Sequence, residues 1–127
     1  MIKITHKLKP DKGIVYVLRV DLDTGPVVKI GYTSRDKVEE RVSEILVSFW
    51  KRLRYFPRLY VARYQKVDNP LSVEKRLHDY FVDCKCEMEE WVSGYTEFFN
   101  VDVEVVKEVY DRLVKGELDE DKLPVQD

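Results

Sequence analysis

The hydrophobic and polar positions of "GIVYVLRV" (residues 13–20) alternate only well enough for a strand, which the run's richness in β-branched and aromatic residues supports. "DLDTG" is a turn signal, and "PVVKIGYT" (26–33) predicts the second strand of a hairpin. The period then changes. Val38, Val42, Ile45, Leu46, Phe49 and Trp50 recur at helical spacing, with Thr33 or Ser34 as N-cap and Asp36 in the first turn. "RLYVARYQKV" (58–67) reads as a third strand. Asn69 as N-cap and Pro70 at the first helical position open a second helix, striped by Val73, Leu77, Tyr80 and Phe81. "CKCEMEEWVSGY" is a loop and "TEFFNV" a short extended piece. Asp102 caps a third helix striped by Val106, Val109, Tyr110 and Leu113 and closed by Gly116. This order predicts a small α+β domain, an antiparallel sheet of about three strands flanked by helices, with an extra C-terminal helix. The domain spans 13–116, between an N-terminal extension (1–12) and an acidic tail (117–127) expected to be disordered.

A chain of 127 residues has the common size of one domain and can bury a core without a metal or disulfide. Apolar runs stay short of the roughly 18–20 residues that cross a bilayer, and "MIKITHKLKP" lacks the apolar centre of a signal peptide. A soluble, cytoplasmic protein with no membrane partner is the expectation. Cys84 and Cys86 are separated by one residue, so free thiols are expected. His78, Cys84 and Cys86 fall short of the roughly four ligands of a zinc site.

The net charge of −2 conceals a division. Through Val82 there are seventeen Lys and Arg against ten Asp and Glu; from Asp83 onward there are five against fourteen. "WKRLRYFPRLYVARYQK" (50–66) holds six bases and no acid, interleaved with aromatics. That mixture suits a phosphate backbone and exposed bases, and makes Lys51, Arg52, Arg54, Arg58 and Arg63, with Arg35 upstream, candidate nucleic-acid contacts. Solvated arginines at a strand and a helix end are the plain alternative. The acidic C-terminal part offers a surface for another protein.

Four polar positions are oddly placed for a plain core. Tyr16 lies in the first strand and Lys29 in the second. If the hairpin loop is Leu22 to Gly25, Asp21 pairs with Pro26, Tyr16 faces Gly31, and Lys29 shares Tyr16's face one diagonal step away. A five-residue loop would put them on opposite faces. Arg41 and Glu74 each border the apolar stripe of their helix, from where they can reach the sheet. Singly, each has a plain reading: a strand tyrosine, an edge-guarding lysine and two solvated helix charges.

Their order along the chain is more specific. "VYVL", "VKIGYT", "EERVSEI" and "VEKRLHDYF" follow one another over about residues 13 to 100 in a way that resembles the GIY-YIG nuclease superfamily. The match is closest to a phage- and virus-associated branch whose second motif reads KIG. The resemblance implies a small antiparallel sheet flanked by helices and metal-dependent hydrolysis of a DNA phosphodiester. It places Tyr16 at the first tyrosine, Lys29 at the second, Arg41 at the helix arginine, Glu74 at the metal-binding glutamate and His78 at the branch's histidine. It implies one Mg²⁺ or Mn²⁺ per site on the Glu74 carboxylate. Tyr16, its pKa lowered by neighbouring cations, would deprotonate water, and Arg41 would stabilise charge on the phosphoryl oxygens.

The chain departs from the wider family at three points. Lysine replaces the second tyrosine, Arg41 comes two residues later after Gly31, and the late asparagine has only Asn100 as candidate, with Glu97 nearby in a branch-specific role. A fold kept for binding without turnover is therefore the second expectation. A homodimer is expected if both strands of a duplex are to be cut.

Overall fold

The computed structural model describes residues 12–116. The N-terminal extension up to Asp11 and the acidic tail lie outside the described residues. The elements run β1 (Lys12–Leu22), β2 (Gly25–Thr33), α1 (Glu39–Leu53), β3 (Arg58–Asp68), α2 (Pro70–Tyr80), β4 (Phe98–Phe99) and α3 (Val103–Val114), with 3₁₀ turns at Val82–Cys84 and Tyr95–Glu97. The strands form one antiparallel sheet in the order β3-β1-β2-β4. The extended piece "TEFFNV" thus contributes a fourth strand, of two residues, to the α+β fold.

β1 is central, and its residues from Gly13 to Leu18 are all buried. Side chains alternate across it and divide the core in two. Val15 and Val17 join Val28 and Ile30 of β2 beneath α2 and α3, meeting Leu77, Phe81, Val106 and Tyr110. Ile14, Tyr16, Leu18 and Val20 face the other way, toward Val38, Ile45 and Phe49 of α1 and to Val92 and Phe98. The sheet is covered on both faces, which is why β1 reads as a nearly continuous apolar run.

The hairpin turn is tighter than the four-residue loop of the sequence reading: Leu22 pairs with Gly25, leaving only Asp23 and Thr24 between strands. The parity is the same, Asp21 still pairs with Pro26, and Tyr16 faces Gly31. The start of α1 differs. Thr33 belongs to β2 and is buried, its Oγ1 accepting the Arg35 N–H at 3.1 Å. That bond stabilises the turn after the strand, so the helix begins later, at Glu39, with Val38 as N-cap and no side-chain cap. Asn69 is another departure. It sits in the left-handed region at φ 54° with no side-chain cap, while Pro70 occupies the first turn as expected. Asp102 does cap α3, accepting the Glu104 N–H at 2.8 Å. Trp50, counted in the apolar stripe of α1, is exposed instead.

Candidate functional site

The hairpin register puts Tyr16 and Lys29 on the α1 face, opposite Gly31 and Leu18 respectively. The Tyr16 ring leans over Gly31: a Cβ there would stand 2.5 Å from the Tyr16 hydroxyl and 2.7 Å from Cζ. The glycine of "KIG" is required by this close approach, because any side chain would push the phenol out of place. Gly31→Ala is expected to cost about 1–3 kcal/mol, the usual range for overpacking, read as a lower urea midpoint at unchanged slope. A midpoint equal to that of the native chain would mean that the ring has room to move.

From the start of α1, Arg41 directs Nε toward the Tyr16 hydroxyl at 3.4 Å, and its Nη1 pairs with the Glu44 carboxylate. Tyr16 is fully buried, and its pKa is pushed up to about 12, by desolvation first and with only partial relief from Arg41. This corrects the expectation that cations would lower it: the buried ring loses more solvation than Arg41 returns.

Lys29 is also fully buried. Its ammonium pairs with the Glu97 carboxylate and lies 5.4 Å from the Phe98 ring centroid and 5.8 Å from that of Tyr16. Burial draws its pKa down, and Glu97 opposes that fall. Gly94 closes over the pair at φ 70°, where a Cβ would collide with Lys29 Nζ and come within 2.9 Å of Glu97 Oε1. The backbone there needs glycine twice over, for its conformation and for space.

Glu74 and His78 stand one turn apart on α2 and meet the part of β2 that β4 leaves uncovered, since β4 pairs only with Val28 and Lys29. Glu74 accepts the Tyr32 backbone N–H. His78 Nε2 lies 2.8 Å from the Ile30 carbonyl oxygen, to which it donates, and its ring meets Phe99 edge-on. Residues 30 and 32 direct their backbone groups to the same side of the strand, so one helical turn of α2 serves two successive edge positions. Burial lowers the His78 pKa and raises that of Glu74 to about 7, the charge of Glu97 adding to the rise. The other Glu74 oxygen, Oε2, is buried with no hydrogen-bond partner. A cleft of about 300 Å³ opens beside Glu74, His78, Lys85 and Phe99.

Glu97, which has no defined role in the sequence pattern, has one in the fold. It pairs directly with Lys29, and its charge reaches Tyr16, Arg41, Glu74 and His78. A signal existed: a lysine buried at the second motif requires a carboxylate counter-ion, and an acid beside the apolar "FF" of a short strand is well placed to supply it. Asn100 is not brought to this cluster; it lines a cleft beside the β1–β2 turn with Arg19 and Pro26.

As to a metal, no group of three His, Cys, Asp or Glu among the described residues is arranged to hold one, and Cys84 and Cys86 are free thiols. The orphaned Oε2 of Glu74 is nonetheless a hard oxygen donor in need of a proton or a cation. It fits Mg²⁺ or Mn²⁺, which take few protein carboxylates and keep most of their waters.

The candidate nucleic-acid residues divide. Arg35 pairs with Glu44 and, at 3.7 Å, with Glu40. Arg63 lies on the far face of the sheet, bound to Asp111 of α3 through two bonds of 2.8 and 3.0 Å. Lys51, Arg52, Arg54 and Arg58 are exposed and form no ion pair with any described residue. No described helix is long and apolar enough to cross a membrane.

A family model described as the T5orf172 domain matches residues 13–114. The match runs from the second residue of β1 to the last of α3 and so takes in every element of the fold. No curated protein and no solved structure matches the chain.

Proposed function

Since the chain belongs to the T5orf172 domain family, a phage-associated domain related to nuclease-like folds, we propose that it is a metal-dependent DNA endonuclease of GIY-YIG type with lysine at the second motif. The observation that carries this reading is the Glu74 carboxylate, its Oε2 buried and unpartnered, within electrostatic reach of Lys29, Glu97 and Tyr16, to whose hydroxyl Arg41 is bonded. A plain structural core has no reason to gather five such groups, because every one of them is costly to desolvate.

Glu74 would hold the Mg²⁺ or Mn²⁺, which when bound supplies Lewis-acid stabilisation of the phosphoryl and leaving oxygens. Arg41, half-buried and tethered by Tyr16 and Glu44, would offer its guanidinium to charge developing on a phosphate. At a pKa of about 12 only about one Tyr16 in ten thousand is a phenolate at pH 8. In the free protein it is a positioning phenol for Arg41. Lys29, enclosed by its partner, is a positioning residue too: it neutralises Glu97, whose unscreened charge would otherwise push Glu74 further toward its protonated form. His78 fixes α2 against β2 and so sets the height of Glu74.

The test is nicking of supercoiled plasmid DNA by the purified chain in Mg²⁺ or Mn²⁺. Metal-dependent nicking that a chelator abolishes is expected. A folded chain that nicks in neither metal between pH 7 and pH 9 would leave the second reading, a domain that holds phosphate without turnover. The enclosed Lys29–Glu97 pair and the phenol form of Tyr16 favour that alternative.

A pH dependence accompanies the proposal. Glu74 must be ionised to hold a cation, and its carboxyl is protonated below about 7. At sub-saturating metal the nicking rate is therefore expected to fall about tenfold per unit as pH drops below 7 and to level off above it. A flat profile between pH 5.5 and 8.5 would remove Glu74 from the metal-binding step.

A further inference from the structure

The segment that follows the Val82–Cys84 turn is fastened to the outer edge of β4. The Asn100 N–H donates to the Cys84 carbonyl at 2.7 Å and the Cys86 N–H to the Phe98 carbonyl at 2.9 Å. Between them Lys85 faces Phe99 in an antiparallel bridge. A third bond, from the Lys85 N–H to the Val82 carbonyl at 3.2 Å, ties the same residue to the turn. Directly opposed residues of an antiparallel pair put their side chains on one face. Phe99 belongs to the core beneath α2 and α3, its ring edge-on to His78. Cys86, the next residue, packs against the opposite core with Tyr16 and Phe98, as alternation requires. Lys85 is thereby set on the α2 side of the sheet, where it lines the cleft of about 300 Å³ together with Glu74, His78 and Phe99.

The other cations around this site are committed. Lys75 pairs with Asp79 at 2.8 Å, Lys29 with Glu97, and both Arg35 and Arg41 with Glu44. Lys85 is exposed and forms no ion pair with any described residue. Its charge is felt inside the cleft: burial lowers the His78 pKa first, and Lys85 adds to the fall. A lysine on a sheet edge has a plain use, to discourage pairing with another chain. That use asks for exposure alone. It does not require a backbone fixed by bonds to two neighbouring segments, nor a side chain set in the cleft of Glu74. Lysine receives phosphate as a flexible point charge. A phosphodiester chain approaching Glu74 brings further phosphates with it, and Lys85 has the uncommitted charge to hold one.

We propose that Lys85 binds a phosphate of the nucleic-acid backbone next to the one presented to Glu74, and so positions the strand in the cleft between α2 and β4. The proposal rests on the endonuclease reading for its substrate and adds a binding residue to that site. It is tested by binding in chelator, where cleavage plays no part, so the two ideas fail separately. The probe is a fluorescently labelled duplex of about twenty base pairs, titrated at several salt concentrations. Lys85→Gln is expected to weaken binding roughly three- to tenfold at about 0.1 M salt and to lower the slope of log affinity against log salt by about one, the loss of one phosphate contact. Lys85→Arg should restore both. Arg63→Gln is the control, since Arg63 lies in β3 at the opposite edge of the sheet and is tied to Asp111; it should leave the slope unchanged. A Lys85→Gln chain with the native slope, an equal fall in Arg63→Gln, or a native chain that binds no duplex in chelator would each overturn the proposal. So would a Lys85→Gln chain that aggregates while its soluble fraction binds as the native chain does, because the lysine would then be an edge guard. A native chain that nicks no plasmid, with the slope still lowered by Lys85→Gln, would remove the endonuclease reading and leave the phosphate contact standing.

Discussion

Glu97→Ala is expected to destabilise the chain by about 3–5 kcal/mol, the range for breaking a buried ion pair from one side. The reason is Lys29, which is fully enclosed and pairs with Glu97. Truncation leaves either a buried, unpaired ammonium or a lysine forced to give up its proton. Because burial already draws the Lys29 pKa down, the folded chain gives up this proton before the unfolded one does, and the penalty should shrink as the pH rises toward the ordinary lysine range. Removing both charges is a different case. Lys29→Met with Glu97→Gln keeps most of the volume and leaves nothing ionised, so it should recover most of the lost stability. Urea denaturation of the two single variants and the double variant measures this directly. A Glu97→Ala chain within about 1 kcal/mol of the native one would mean that Lys29 does not depend on this carboxylate.

Glu74 should behave in the opposite sense. Glu74→Gln is expected to reduce metal-dependent nicking about 10³-fold, the scale of several kcal/mol of lost transition-state stabilisation. The amide oxygen can still accept the Tyr32 N–H, but it carries no charge to hold the cation. Stability should hold or rise at pH 8. The native carboxylate is desolvated, with one oxygen unpartnered, and its raised pKa means that the folded chain binds its proton more tightly than the unfolded one. Folding is thus weakened as pH climbs from the ordinary carboxyl range through about 7, and the neutral amide is exempt from that loss. Activity lost together with stability kept is the signature of a functional carboxylate rather than a structural one. Nicking that survives Glu74→Gln would exclude it from the reaction.

Much of this architecture is legible in the residues. The alternation in "GIVYVLRV" and "PVVKIGYT" predicts the hairpin, and the stripe of α3 is buried as its spacing requires. Less legible are the ends of elements. Thr33 reads as a helix cap but serves a turn, because local hydroxyl chemistry suits both and only the length of the preceding strand decides between them. Trp50 fits the helical period of α1, yet it stays exposed and stacks on Phe56 instead of entering the core. Periodicity gives the direction of a side chain but not the extent of the layer it meets.

For the cluster, the sequence by itself determined the alternatives: an even register of the Asp21–Pro26 type places Tyr16 and Lys29 on one face, a five-residue loop would part them, and the fold takes the first. What only the tertiary structure decided is their state. Desolvation depends on every atom packed around a group, drawn from segments far apart in the chain. Whether Tyr16 is raised or lowered, whether Lys29 is open or enclosed, and that Glu97 rather than Asn100 completes the set could not follow from spacing. Local chemistry fixes positions along the backbone, and burial, a property of the whole fold, fixes what those positions can do.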